Sequence, residues 1–275
     1  MTKCPGRGML PVMKSPDTAG ARMLRAAHAF SREAEKLGFG APVSYVYNPL
    51  QYARAPHEAW LRRFAASPKR VVFLGMNPGP WGMAQTGVPF GDIPSVRDWL
   101  GISGAVAAPE RVHAKHPVQG FSCARREVSG SRFWGLMREQ YGTPDAFAAD
   151  AFVANYCPLM FLDQSGRNLT PDKLRAGDRA HLEALCDSFL AAVITTLAPA
   201  WVVGIGGFAE KRIHAVVDGM AGAALRVGLI PHPSPASPLA NRGWAGIARA
   251  ALEEQGIWEQ SRRAARPPLA SDGPL

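Results

Sequence analysis

The stretch Gly75-Met76-Asn77-Pro78-Gly79-Pro80-Trp81-Gly82-Met83-Ala84-Gln85-Thr86-Gly87-Val88-Pro89-Phe90-Gly91 carries two carboxamides and two aromatic rings on a dense alternation of glycine and proline. Each proline locks φ, and each glycine lets the backbone come close to a ligand, so such a loop is held rigid around something. It is not a phosphate-binding Walker loop, because no Gly-Lys-Ser/Thr follows the glycines. A second candidate is Asn155-Tyr156-Cys157-Pro158. The Asn155 carboxamide can offer a donor and an acceptor to one planar edge, a pairing that suits a pyrimidine, while the plainer role of such a residue is to cap a turn. The third is His232-Pro233-Ser234-Pro235-Ala236-Ser237-Pro238-Leu239-Ala240-Asn241, where three prolines in six residues hold the backbone after His232.

Other reactive types are poorly placed for chemistry. His28, His57, His113, His116, His181 and His214 show no metal-ligand spacing, and Cys4, Cys123, Cys157 and Cys186 are too dispersed for a zinc knuckle or an iron–sulfur cluster. No metal or cofactor is expected. Gly204-Ile205-Gly206-Gly207 lacks the full glycine spacing of a dinucleotide loop and reads as a tight strand-to-helix turn.

The elements that must position these groups alternate in type. Val71 to Met76 is a continuous apolar run bounded by Arg70 and Asn77, the look of a strand buried on both faces, and similar runs recur at Ala151 to Ala154, Trp201 to Ile205 and Leu225 to Ile230. Helical patterns span Thr18 to Leu37, Pro56 to Ala66, Asp178 to Leu197, Ala209 to Met220 and Arg242 to Gln255. Strands alternating with helices predict an α/β fold with a mostly parallel sheet covered on both faces, and that architecture puts reactive groups at the carboxyl ends of strands. The segment Ala105 to Val128 has no clear period and reads as an insertion or surface loop. The tail after Glu259 has the composition of an unfolded segment.

Composition bounds the partners. The 275 residues are 47% apolar and 19% charged, ordinary for a globular chain, with net charge +9. Residues 1 to 70 hold twelve Lys/Arg against four acids, so nearly all the excess sits there, which points toward polyanions or, more plainly, a solvated basic face. No stretch reaches the ~18 apolar residues a membrane span needs, the N-terminus lacks the apolar run of a signal peptide, and the few cysteines suit a reducing compartment. A monomer in the cytoplasm, or in the nucleus of a eukaryote, is expected, without membrane partners.

Taken together, Gly75 to Gly91, Asn155 to Phe161 and His232 to Trp244 resemble the single-strand-selective monofunctional uracil-DNA glycosylases of the uracil-DNA glycosylase superfamily. Tyr45-Val46-Tyr47-Asn48-Pro49, Glu127-Val128-Ser129-Gly130-Ser131-Arg132-Phe133-Trp134 and Gly166-Arg167-Asn168-Leu169-Thr170-Pro171 look alike too. The similarity runs from about residue 43 to residue 257. It implies a glycosylase domain over 43–258, preceded by a basic helical segment over 1–42 and followed by a flexible basic, proline-rich tail over 259–275.

The resemblance further implies a three-layer α/β/α sandwich with a central four-stranded sheet, and hydrolysis of the N-glycosidic bond of uracil in single- and double-stranded DNA. Carried over residue by residue, Asn77 would position the attacking water and His232 would hydrogen-bond uracil O2 as the base leaves. Asn155 would read O4 and N3, Phe90 would stack on the ring, and Met76 and Gly79 would line the side facing C5. Related enzymes place a bulky Tyr at Gly79 that clashes with the thymine methyl, so its absence here implies acceptance of 5-hydroxymethyluracil and other oxidised pyrimidines. Trp81 stands where the family usually has Phe, which makes that wall bulkier. Ala236-Ser237 replace an Arg-Asn pair in a loop that wedges into DNA; with Ser234 in the same loop, Leu239 and Arg242 are the residues left to fill a vacated base position and hold phosphate. No lysine lies within the three motifs to form a Schiff base, as a monofunctional enzyme requires. Two other readings are a nucleic-acid-binding protein of this fold that only senses uracil or single strands, and an enzyme of free pyrimidine nucleotides.

Overall fold

A computed structural model describes residues 17–220 and 225–259. The expected tail and the first part of the basic N-terminal stretch lie outside the described residues. In chain order the helices and strands are α1 (Ala19–Ala34), β1 (Tyr45–Tyr47), α2 (Pro49–Tyr52), α3 (Arg54–Phe64), β2 (Val71–Gly75), α4 (Met83–Thr86), α5 (Val128–Tyr141) and α6 (Pro144–Asp150). There follow β3 (Ala151–Asn155), β4 (Met160–Leu162), β5 (Asn168–Leu169), α7 (Ala176–Leu197), β6 (Trp201–Ile205), α8 (Gly207–Val217), β7 (Arg226–Ile230) and α9 (Trp244–Glu254).

The four apolar runs form one parallel sheet in the order β3-β2-β6-β7. Every residue of β2, β3 and β6 is buried, which is why these strands read as unbroken apolar runs rather than alternating ones. The register pairs Gly75 with Asn155 and Ile205 with Ile230, so the carboxyl ends of all four strands finish level. From β2 the chain crosses toward the β3 edge, and from β6 it crosses toward the β7 edge. The loops therefore diverge above the β2–β6 pair, the place where a crevice opens in a doubly wound sheet.

Helices cover the sheet in two groups, α1, α7 and α8 packing together and α5 contacting both α6 and α9. Thr18 starts α1 by accepting the Ala21 N–H on its hydroxyl. Strand and helix boundaries fall within three residues of the sequence reading. The segment over residues 105–127 is irregular, as expected, apart from a 3₁₀ turn at Gly120–Ser122. Not foreseen is a second, antiparallel sheet, β1-β4-β5, whose strands of two and three residues are too short to show a period. Also unforeseen is that α7 has the length and mean hydropathy to cross a membrane, which a search for an unbroken apolar run passes over. Here it packs along α1 and α8, and its Asp187 and Glu183 pair with Arg212 of α8.

An aromatic cluster links the core to the sheet edge. Trp60 stacks on Phe64 and Phe152, Trp134 meets Trp60 and Phe133 edge-on, and Phe133 stacks on Phe90 with centroids 4.9 Å apart. Such pairs add roughly 0.5–1.5 kcal/mol each beyond burial, so the loop that ends at Phe90 is anchored in this aromatic core.

Candidate active site

Above the carboxyl ends of the strands lies a cavity of about 480 Å³, and the seven residues expected to touch a base, Met76, Asn77, Gly79, Trp81, Phe90, Asn155 and His232, all line it. Gly75 explains their convergence. A Cβ there would stand 2.6 Å from Asn155 Oδ1 and 2.7 Å from the Phe90 ring, so only glycine lets the carboxamide and the ring meet at the end of β2.

Asn77 follows directly. Its Nδ2 donates to Leu159 O at 3.5 Å and to Pro78 O at 3.4 Å, which leaves Oδ1 as a free acceptor. Asn155, 5% exposed, donates Nδ2 to the soft Met83 Sδ at 3.3 Å, and its Oδ1 has no partner among the described residues. The amide edge is thus available to a ligand with its own donor and acceptor.

Phe90 has φ +53°, a conformation that costs a side-chain-bearing residue on the order of 1–3 kcal/mol and persists only where neighbours enforce it. They do so here: Phe90 O accepts from Trp134 Nε1 at 2.9 Å and from the Asp92 N–H at 2.7 Å, while a Cβ on Gly130 would come within 2.1 Å of that same oxygen. One ring face lies on Phe133 and the ring borders the cavity, so a planar ligand can complete the stack.

His232 is fixed in both tautomer and charge. The Ser234 N–H donates to its Nδ1 at 3.1 Å, so the proton of the neutral ring sits on Nε2. Burial pushes its pKa below the usual histidine value and keeps the ring neutral. Behind it, Gly206 at φ +89° has no side chain, and a Cβ there would lie 3.3 Å from that of His232.

Three participants escaped the sequence reading. Arg132 of α5 donates to Pro233 O at 2.8 Å and to Asn241 Oδ1 at 3.0 Å, and Asn241 in turn donates to Pro235 O, so one guanidinium holds the loop after β7. Glu127 lines the cavity and caps α5 by accepting from Ser129 N and Gly130 N; burial raises its pKa. Asp92, fully buried, pairs with Arg126 at 2.8 Å and accepts from Ser95. Glu127 and Arg132 both lie in the 127–134 motif, but Glu is not among the usual N-cap types, and the partners of Arg132 and Asp92 lie far off in the chain and leave no local trace.

In the loop after β7 only Ser234 reaches the cavity among the residues expected to contact DNA. Ala236 is exposed, Ser237 half-buried, and Ser234 accepts from the backbone N–H of both. Leu239 is 53% exposed, and Arg242 is exposed with no carboxylate partner among the described residues. Both precede α9, on either side of Ala240 and Asn241 in a 3₁₀ turn, and so do not belong to the final helix. Several described basic residues of the N-terminal part are taken up in ion pairs away from the cavity. Arg54 and Arg62 pair with Glu58, Arg25 with Asp17, and Arg70, just before β2, pairs with Asp150 at the sheet end remote from the cavity.

A family model for the uracil DNA glycosylase superfamily matches residues 62–253. The chain is 49% identical to the single-strand selective monofunctional uracil-DNA glycosylase of Rattus norvegicus over 225 residues, covering 82% of this chain and 81% of that one. With the Bos taurus protein of the same description it shares 43% identity over 253 residues, 92% of this chain and 93% of the relative. Among solved structures, the crystal structure of wild-type SMUG2 from Pedobacter heparinus superposes with a TM-score of 0.64 at 18% identity, over 89% of this chain and 99% of that one, a likeness of fold.

Proposed function

Because the chain belongs to the uracil-DNA glycosylase superfamily, we infer that it is a monofunctional uracil-DNA glycosylase, a hydrolase that excises uracil from DNA for base excision repair. The observation that carries the mechanism is the neutral His232, its Nε2–H free for a ligand in a cavity shared with Asn155 and Phe90.

Chemistry on a base requires its extrusion from the stack, which costs a few kcal/mol. Stacking on Phe90 returns roughly 1–3 kcal/mol of this. Asn155 offers its amide to O4 and N3 of the uracil edge. As the N-glycosidic bond breaks, the electron pair moves to the base, and His232 Nε2–H donates to O2 where the negative charge develops. Water held by Asn77 Oδ1 attacks the cationic sugar and releases a proton to solvent, leaving an abasic site and a uracil anion that takes its proton back from solvent. Asn77 cannot act as a strong base, so leaving-group stabilisation carries the rate more than water activation does.

The finer reading concerns which bases and strands are accepted. A Cβ at Gly79 would meet nothing within 4 Å, so the wall facing C5 has room for a hydroxymethyl group or a water. This supports 5-hydroxymethyluracil as a second substrate in single- and double-stranded DNA, with thymine poor because a methyl cannot replace the hydrogen bonds of that water. Buried, unpaired Cys123, Cys157 and Cys186 support a reducing compartment. Release of free base from single-stranded and duplex oligonucleotides tests all of this. His232→Ala should lose about 100- to 1000-fold in kcat, the usual consequence of removing one such donor. Undiminished release by His232→Ala, or turnover of dUMP without turnover of DNA, would overturn the assignment.

A further inference from the structure

The irregular segment over residues 105–127 carries a small basic excess: Arg111, Lys115, Arg125 and Arg126 stand against Glu110 and Glu127. Glu127 is taken up in capping α5, and Arg126 pairs with Asp92. Arg125 has no carboxylate partner among the described residues. It lies exposed, with its guanidinium carbon 4.4 Å from the centroid of the Trp81 ring.

Trp81 is itself held. The His116 ring contacts it at 5.4 Å, and His116 Nε2 is bonded to Gly166 O at 2.6 Å. The Gln85 amide donates to Pro80 O at 2.9 Å and to Pro117 O at 3.0 Å, and its Oε1 accepts from Gln119 N at 2.8 Å, so one side chain ties the Trp81 loop to the basic segment. A charged plane backed by an indole therefore stands at the rim of the cavity that Trp81 lines.

We propose that the Trp81–Arg125 stack is a shelf for single-stranded DNA, receiving the nucleotide next to the extruded uridine with its base on the guanidinium plane and its phosphate beside the charge. Guanidinium planes stack on unpaired bases as aromatic rings do, and a cation supported by an indole has lost part of its freedom before the ligand arrives. A base in duplex DNA stays paired and stacked on its neighbours, so placing it on the shelf costs that pairing, whereas in a single strand it is free. The shelf thereby favours single strands. This inference rests on the uracil-DNA reading and goes beyond it by assigning residues to strand preference.

The test uses short single-stranded oligonucleotides with one central 2′-fluoro-2′-deoxyuridine, whose glycosidic bond resists cleavage, and replaces the neighbouring nucleotide on each side in turn by a tetrahydrofuran spacer. The parent should lose roughly 5- to 150-fold in affinity with the spacer on one side, the range one stacked base supplies. Arg125→Ala, which loses the phosphate contact as well as the stack, should bind the unmodified strand at least as weakly as the parent binds that spacer strand, be indifferent to the spacer, and show a salt slope lower by about 0.7, the single-strand value for one phosphate. Arg125→Lys should keep the slope and lose the spacer sensitivity. A parent that is insensitive to spacers on both sides, or an Arg125→Ala variant as sensitive as the parent, overturns the shelf. Uracil release by the parent is measured in parallel: its failure overturns the function on which the shelf depends, and spacer insensitivity in a parent that does release uracil overturns the shelf alone.

Discussion

The Ser234 N–H bonded to His232 Nδ1 makes the pH dependence of the reaction a property of one ring. Protonating Nδ1 would set two donors against each other, and burial already opposes the charge, so the active neutral form persists to lower pH than an ordinary histidine allows. The acid limb of kcat/KM should accordingly have its midpoint below ~6.5, the reference value for histidine. A midpoint at or above that value in the pH–rate profile would contradict the tautomer assignment. Gly79 carries a second prediction. Gly79→Tyr should reduce 5-hydroxymethyluracil release at least about tenfold while leaving uracil release within a few-fold, because an added ring occupies the side facing C5 and one group of that size decides a factor of 10–200. Equal losses on both bases would remove the argument. Asn77, Phe90, Asn155 and His232 were legible in the sequence because they sit on backbone that glycine and proline fix. Arg132 was not, because its partners lie 101 and 109 residues away and an arginine with distant carbonyl partners looks like any surface cation.

At the scale of elements, the parallel sheet could be read because strands buried on both faces leave unbroken apolar runs, and β2, β3 and β6 do. The sheet β1-β4-β5 was invisible for the converse reason, since Asn168–Leu169 is a strand only by virtue of pairing with Phe161 and Leu162. Helix α5 also went unassigned: it holds Gly130 and Gly135, residues that weaken a local helical signal, and of these Gly130 admits the Phe90 carbonyl. The loop from Pro231 to Gly243 is rigid through Arg132 and through Trp244 Nε1 bonded to Pro231 O at 2.7 Å, so its exposed Leu239 is presented on a firm base. An apolar wedge stabilises a vacated base position only in a duplex. Leu239→Ala should therefore lower excision from duplex DNA much more than from single strands. Arg242→Ala should weaken both substrates alike and lower the salt slope by about one, as the loss of one phosphate contact does. Unchanged duplex activity in Leu239→Ala would exclude the wedge.

For the whole molecule, the net charge of +9 says less about DNA than its distribution does, because Arg63 and Arg70, on the amino-end side of β2, are paired with Asp145 and Asp150 while Arg125 and Arg242 have no carboxylate partner among the described residues. Stability is governed by another group. His57 of α3 is fully buried, bonded through Nδ1 to Gly87 O at 2.7 Å, with Nε2 left without a partner. It ties the base-binding loop to the aromatic core, and burial pushes its pKa down to about 4. Since the folded value lies below the unfolded one, the unfolded chain takes up the proton first as pH falls. The stabilising contribution is complete above ~6.5 and declines until the pH reaches the folded value. Over that window the shift corresponds to about 3 kcal/mol, of which about 2 is lost between pH 7 and pH 5, a large share of a typical 5–15 kcal/mol. Glu58, held down to about 2 chiefly by Arg54, has its window at lower pH, where carboxylates take protons, and does not overlap most of this range. Urea unfolding at pH 7 and pH 5 should show that loss in the parent, with a smaller addition of the same sign from His232. His57→Gln, whose amide can still donate to Gly87 O but does not titrate, should be less stable at pH 7 and much flatter between the two pH values. A parent equally stable at both, or a His57→Gln variant that falls as steeply, would show that the buried imidazole does not set the acid limit of the fold.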